Sequence, residues 1–315
     1  MRHQPREDSR GIVDPAGLLR RVHFRRHLPA VALRPYVEHY WLVDWELPEP
    51  LTQRVVPHPA VNVVFQRDGA GPETAEVSGV GLELFSITLA GAGQVSGVQF
   101  RPGGFRPFWR GRPVAELTGR RWPMSSLADR WPPAAALVAA APHGIGSGVS
   151  TADGIASDGG RTGGGAGPAG RCDGTDAERC RALDDLLTGW APEADPVTDE
   201  VIELVEAIRA DRTVRRVDDF ARRRDVSVRR LQRLFLAYVG VGPKWVIRQY
   251  RLHEAVEQAA GGPLDWARLA AELGYSDQSH LVRDFSAVIG VSPAAYAHSV
   301  GRPGRHPLWA VPARR

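Results

Sequence analysis

The sequence predicts an α+β chain of several domains. A mainly β, barrel-like N-terminal domain precedes an all-α C-terminal domain in which two helix-turn-helix units are joined by a linker helix. Three observations carry this reading. Short β-branched and aromatic runs, punctuated by Gly and Pro, fill residues 31–127. A Gly-, Ala- and Ser-rich stretch follows at 143–175. Beyond it, apolar residues recur at helical spacing, and one pattern occurs twice.

Taken in order, residues 1–20 read as a flexible tail. The strand-like runs are 36–45, 54–56, 61–65, 87–89 and 95–100, separated by Pro57-His-Pro59, 68–72, Gly91-Ala-Gly93 and 101–104. Residues 134–141 suit a short helix. The stretch at 143–175, centred on 159–165, cannot bury enough apolar surface to offset its ordering entropy and reads as a linker. From Asp176, a connecting segment to 197 carries Leu183, Leu186, Leu187 and Trp190 on one helical stripe until Pro192 and Pro196 interrupt it. That stripe suits a dimer helix or packing on the chain's own β domain. A further helix near 199–210 carries Val201, Leu204, Val205 and Ile208, and helical spacing continues to His298, leaving a tail at 299–315.

Composition limits the function classes. The chain has 315 residues, 43% of them hydrophobic, enough for two cores. No apolar run approaches the roughly 20 residues that span a bilayer. The polar start, Met1 to Asp8, lacks a signal-peptide core, so a cytoplasmic location without membrane attachment is expected. Two cysteines, Cys172 and Cys180, exclude a disulfide framework and read as free thiols in the linker region. No cofactor or metal motif is present, and none is expected. The net charge is +4, the basic residue is almost always Arg, and the only lysine is Lys244. Arginines crowd between Arg209 and Arg251, including Arg222, Arg223, Arg224, Arg229, Arg230, Arg233 and Arg248. Such a stretch suits a phosphate backbone or a solvated helix face.

The repeat separates those alternatives. Ala221, Asp225 and Ser227 align with Ala270, Gly274 and Ser276; Leu231 and Phe235 align with Leu281 and Phe285; Gly240 and Pro243 align with Gly290 and Pro293. The second copy has one extra residue between its Ser and its Leu. Each copy reads as a helix, a turn at Asp225 or Gly274 with left-handed or otherwise unusual backbone, a Ser N-cap, and a second helix stopped by Gly. With Leu231, Leu234, Phe235 and Tyr238 inward, Arg229, Arg233 and Leu236 point outward, flanked by Arg230 and Gln232. In the second copy Leu281, Phe285, Val288 and Ile289 face inward. Ser279, Arg283 and Ser286 face out, flanked by Gln278, His280 and Val282. A major groove admits one helix, Arg reads guanine and Gln reads adenine. The segment 243–259 between the copies suits a rod of about 25 Å, close to the roughly 34 Å between successive grooves.

These residues resemble the AraC-type family of transcription regulators. The paired units, Gly-Pro-Lys-Trp-Val-Ile at 242–247, Arg251-Leu-His-Glu-Ala255, the run from Gly274 to Phe285 and Gly290 to Tyr296 all look like that family's DNA-binding domain over about 198–298. The resemblance implies seven helices, two recognition helices at about 227–238 and 277–289, and base contacts from Arg229, Gln232 and Arg233 and from Gln278, Ser279 and Arg283. The wider DNA-contact set is Ser227, Arg230, Lys244, Arg248 and His280. Asp225 and Leu281 depart from the family's usual Gly and Phe. The N-terminal pieces 35–41, 56–65 and 97–105 are similar to a sensory-type domain in uncharacterised family members. Residues 21–142 are therefore expected to bind an effector or to dimerise. Double-stranded DNA is the expected partner, with RNA polymerase if the chain is an activator.

Within 21–142 the effector candidates are His58, Asn62 and Arg101. His58, with His39 and Glu38 upstream, suits part of a metal site, although its spacing matches no metal motif; otherwise it closes a turn or lines a pocket. Arg101 suits an anionic effector or a structural bond to a carboxylate or carbonyl. Trp41, Trp45, Phe65, Phe100, Phe105 and Trp109 suit an aromatic pocket or a core. An enzyme-type barrel tethered to a DNA-binding domain is the competing function, but no nucleophile motif or paired catalytic carboxylates stand out.

Overall fold

A computed structural model describes residues 12–127, 131, 173–260 and 264–300. Six antiparallel strands form one sheet in the order β1-β2-β5-β3-β4-β6: β1 Val22–His27, β2 Val37–Val55, β3 Asn62–Asp68, β4 Thr74–Ser78, β5 Phe85–Phe100 and β6 Arg121–Pro123. The runs 36–45 and 54–56 merge into β2, and 87–89 and 95–100 merge into β5. The breakers between them are absorbed by the ladder. Pro48 and Pro50 fall in the register irregularity between Leu47 and Leu51, where lost N–H donors cost no ladder bond. Gly93 and Gly97, inside β5, leave room for the indoles of Trp45 and Trp41 on β2.

Both faces of the sheet are covered, as period-two alternation along β3 shows. Val63 and Phe65 join a core with Tyr40, Val98, Phe100 and Phe105, whereas Val64 joins Trp45, Leu47, Leu89 and Val95 on the opposite face. The second face is closed by residues expected in the loose tail. Ile12 bridges Val55, helix α1 (Pro15–Leu19) is capped by Asp14, and Ile12 and Leu18 are buried. The first face is closed by helix α2 (Asp173–Gly189), which begins two residues before the expected end of the linker. Its stripe of Leu183, Leu186, Leu187 and Trp190 packs on the chain's own sheet core, beside Phe108 and Trp131. Polar contacts align it. The Arg25 guanidinium on β1 holds Asp176 at 2.5 Å and also pairs with Asp44, to which Arg179 donates at 2.8 Å. Cys180 therefore lies in a helix against this core, not in a linker, and burial pushes its thiol up to about 11. Cys172, residues 134–141, most of 143–175 and the tail beyond 300 lie outside the described residues.

The remaining helices are α3 (Pro196–Ala210), α4 (Val217–Arg223), α5 (Val228–Leu234), α6 (Pro243–Ala260), α7 (Trp266–Glu272), α8 (Gln278–Ile289) and α9 (Pro293–Val300). They build two cores. Val201, Val205, Phe220, Ala221, Leu231, Phe235 and the first half of α6 (Val246, Ile247) form one. The second half of α6 (Leu252, Ala255, Val256, Ala259) joins Leu269, Ala270, Leu281, Phe285 and Tyr296 in the other. The sheet domain contributes to both: Val80 to the first, Val13 and Val56 to the second.

Gly79 is the tightest backbone crossing next to these contacts. A Cβ there would collide with the main-chain carbonyl of Leu117, which cannot rotate away. Gly79→Ala is expected to destabilise the chain by about 1–3 kcal/mol, the usual cost of overpacking. Denaturant unfolding checks this, and an unchanged midpoint would contradict the crossing.

Candidate nucleic-acid interface

Both helix-turn-helix units use the same local chemistry. Asp225 and Gly274 take positive φ of 50° and 73°, and the next residue's N–H returns to the Ala221 or Ala270 carbonyl (3.0 and 2.8 Å). Gly240 and Gly290 end the second helices in left-handed conformation. The N-caps differ. Ser227 accepts from Arg230 N–H as expected, but in the second unit the cap is Asp277, which accepts from His280 N–H at 2.7 Å. Ser276 instead has its hydroxyl against Asp277 and the His280 Nδ1. Cap to buried Leu is four residues in both units, Ser227 to Leu231 and Asp277 to Leu281. The extra residue of the second copy thus lies in the turn before the cap and leaves the helix phase untouched.

That phase fixes what faces solvent. On α5, Arg229, Gln232 and Arg233 are exposed, opposite buried Leu231 and Leu234, and Leu236 is exposed beyond them. On α8, Gln278, Ser279 and Arg283 are exposed, opposite Leu281, Phe285 and Ile289. Arg229, Gln232 and Arg233 make no side-chain hydrogen bond or ion pair to another described residue, so they are available to a partner. Arg230 differs: both oxygens of Glu200 on α3 accept from it, at 2.9 and 2.7 Å. Arg248 donates to Asp284 at 3.0 Å and ties α6 to α8. His280 packs edge-on against Tyr275, and Lys244 is exposed at the start of α6. The first unit's helix widens into a π-turn over Phe235–Val239, a feature its sequence does not announce.

The effector candidates have different partners. Arg101 donates to the Arg34 carbonyl, the structural alternative. Asn62 sits on β3 opposite Gln99. His58 is half-buried where the sheet domain meets α6. Phe65, Phe100, Phe105 and Trp109 belong to the core beneath α2, and Trp41 and Trp45 to the other face. Among the described residues no group of three or more His, Cys, Asp or Glu is placed to hold a metal, and no helix is long and apolar enough to cross a membrane.

The surroundings of His58 form a polar junction that sequence reasoning missed, because its members come from β2, the Pro57–His58 turn, α3 and α6. The Pro57 carbonyl accepts from Gln249 Nε2 (2.6 Å) and His253 Nε2 (2.7 Å), both on α6. The His58 ring meets Tyr250 and His253 edge-on. Glu38 on β2 accepts from Gln99 and from Arg209 on α3, each at 3.1 Å. Burial alone would push the Glu38 carboxyl up, but His58, His39, Arg209 and Gln99 hold it below the usual range. Burial drives the His58 imidazole down to about 3, against the pull of Glu38 and with the help of His253, Arg209 and His39. His58 Nδ1 has no partner among the described residues, consistent with a neutral ring.

A cavity of about 300 Å³ lies elsewhere, walled by Trp109, Leu117, Thr118, Trp122 and Leu127. Thr118 Oγ1 donates to the Gly240 carbonyl at 2.7 Å, so this wall touches the end of the first unit's second helix.

Comparison with known proteins fits this geometry. Residues 25–123 match a domain of unknown function, DUF6597, and residues 220–299 match a helix-turn-helix domain. No curated protein sequence matches the chain. Among solved structures, the chain is similar to the C-terminal domain of AraT, a response regulator from Geobacillus stearothermophilus, with 22% identity over 33% of this chain and 85% of that one (TM-score 0.30). It is also similar to ToxT from Vibrio cholerae, with 11% identity over 88% and 98% of the two chains (TM-score 0.38).

Two predictions follow from the local geometry. Asp277→Ala is expected to lower the unfolding midpoint as a lost N-cap, and Ser276→Ala clearly less; equal losses in denaturant titrations would contradict the cap assignment. The second concerns pH. The ordinary value for His58 is 6.5, so below that pH the open or unfolded chain binds a proton that the docked chain refuses. Stability therefore falls as pH drops from about 6.5 toward about 3, by up to about 1.4 kcal/mol per unit. Glu38 acts only lower: its contribution is full above its ordinary 4.5 and is lost as pH falls toward about 2. Between about pH 5 and about pH 7.5, His58→Gln is expected to flatten the stability profile relative to the parent. Superimposable slopes would show that His58 is not the buried neutral group.

Proposed function

Starting from residues 220–299 as an AraC-type helix-turn-helix domain, we propose that the chain is a transcription regulator in which one monomer reads two adjacent major grooves of double-stranded DNA. One observation carries the reading. Two helices in matched settings present exposed Arg, Gln and Ser, and a single continuous helix, α6, joins them. Eighteen residues at about 1.5 Å each make α6 about 27 Å long, on the scale of the roughly 34 Å between grooves on one DNA face.

Roles follow from engagement. Arg229, Gln232 and Arg233 on α5 and Gln278, Ser279 and Arg283 on α8 are the base-reading set. Lys244 is a phosphate contact. Arg230 and Arg248 already have carboxylate partners and act first as positioning groups, with phosphate contact secondary. Ser227 and His280 fix the starts of the two helices. The sheet domain is the regulatory part, acting through its contacts on α6 and on both helical cores.

Sequence selection from a random DNA library with the full-length chain at near-physiological salt tests the proposal. The expected product is a motif with two contacted segments about one helical turn apart. Uniform, salt-sensitive binding without enrichment would overturn specific reading. On the selected site, Arg233→Ala is expected to cost about 1–3 kcal/mol, with little loss on random DNA. Equal losses on both would make Arg233 a phosphate contact.

A further inference from the structure

We infer that Arg215 is a positioning residue that ties the first helix-turn-helix unit to the turn of the second, and so sets the tilt between the two recognition helices. This rests on the reading of the chain as a two-unit DNA reader and adds to it a determinant of operator spacing. Helix α6 passes from one core to the other between Ile247 and Leu252. Long helices curve, and a small bend at that point is a large displacement at α5 and α8. A brace across the bend therefore matters to what the pair can read.

Arg215 lies in the segment that leads into α4, and Val214 beside it is buried in the first core. Its side chain leaves that unit. Nη2 donates to the Ala271 carbonyl, in the last turn of α7, at 3.1 Å. The Gly274 N–H donates to the same carbonyl at 3.1 Å, so both of its lone pairs are used. From the other direction, Arg251 on α6, next to Leu252 of the second core, donates to the Arg215 carbonyl at 2.6 Å and to the Val214 carbonyl at 3.4 Å. Burial and the nearby Arg215 charge both push the Arg251 guanidinium below its ordinary value. The two cations stay side by side because main-chain carbonyls of both units accept from them.

The two turns show what the tie demands. Asp225 and Gly274 occupy matching positions, both with positive φ, yet the Asp225 side chain is exposed. At Gly274 the corresponding space is filled: an added Cβ would collide with Cγ, Cδ and Nε of Arg215. Positive φ alone does not account for glycine at 274, since Asp takes such a conformation at 225; the Arg215 stem lying on it does. The next residue passes the contact on. Tyr275 packs edge-on against His280, with ring centroids 5.2 Å apart, in the first turn of α8. Arg215 thus bears on the turn that aims Gln278, Ser279 and Arg283.

The test compares the full-length parent, Arg215→Ala, Gly274→Asn and the double variant on three DNAs: the selected operator, that operator with either segment scrambled, and that operator with one base pair inserted between the segments. The insertion moves the second segment about 3.4 Å along the axis and about 35° around it. For Arg215→Ala the expected result is at least about fivefold weaker binding to the operator, scrambled sites bound within about twofold of the parent, and a smaller insertion penalty than the parent's, because a looser pair gains less from its second contact but adapts to a wrong spacing. Gly274→Asn places a residue type that tolerates positive φ. It is expected to show the same pattern by displacing Arg215, and to add less than about twofold in the Arg215→Ala background. Circular dichroism confirms that the variants are folded. Equal losses on intact and scrambled sites would make Arg215 a phosphate contact and overturn the tie. So would an unchanged insertion penalty, or a Gly274→Asn loss undiminished in the Arg215→Ala background. A readout without DNA separates the tie from the regulator reading: electron paramagnetic resonance distances between nitroxides on p-acetylphenylalanine introduced at Leu236 and Ala287, both exposed. The distance distribution is expected to be broader in Arg215→Ala than in the parent. Broadening in a chain that selects no DNA sequence would leave the tie standing and sink the regulator reading, whereas selected DNA with an unchanged distribution would do the reverse.

Discussion

Helix α6 is the constraint on which the arrangement depends, because one rigid element contributes buried residues to two cores. Val246 and Ile247 near its start belong to the first helix-turn-helix unit, and Leu252, Ala255, Val256 and Ala259 belong to the second. Each buried aliphatic side chain of this kind is worth about 1.5–3 kcal/mol, whereas exposed pairs such as Arg216–Asp218 are screened by solvent and contribute little. The apolar face of α6 therefore sets how the two units are held, and the arginines decorate a geometry already fixed. Arg248–Asp284 and the Arg251 contacts to the Val214 and Arg215 carbonyls refine it by linking α6 to its neighbours.

The sheet domain does not hang from this assembly by a linker alone. It reaches the helical part at both cores and at α6: Val80 enters the first core, Val13 and Val56 enter the second, and Pro57 and His58 sit on the middle of α6. Tyr296 on α9 adds a donor to the Val13 carbonyl. Both units are thereby held against the sheet domain, and their Arg, Gln and Ser residues stay exposed. The junction at His58 is the polar part of this clamp. Its ring is neutral and its neighbours include Glu38 and Arg209, so any change that admits water there weakens the clamp where it bears on α6.

The helical domain was largely legible in the sequence because its signals are local. Helical spacing, the left-handed turn residues at 225 and 274 and the glycine stops at 240 and 290 each act within one turn of chain. The single misplacement, Ser276 as the cap, came from aligning like residues; the phase of buried Leu281 identifies Asp277 instead. The β domain was less legible. β1 carries Arg25 and His27, whose charges serve an ion-pair network with α2, so alternation is masked, and β4 and β6 are too short to stand out. Gly93 reads as a breaker, yet it and Gly97 make room for tryptophans. The tail from Ile12 and the junction around His58 depend on partners far away in the chain, and neither leaves a local pattern.

The central claim is that α6 holds two readers at one fixed separation. Affinity of the full-length chain for its selected operator, compared with the same operator carrying about half a helical turn (roughly 5 bp) inserted between the two contacted segments, tests this most directly. The account predicts that the insertion lowers affinity at least about tenfold, to the level of a site with one segment scrambled. Unchanged affinity after the insertion would contradict it, because units free to move apart or to bind singly cannot be held by one rigid helix.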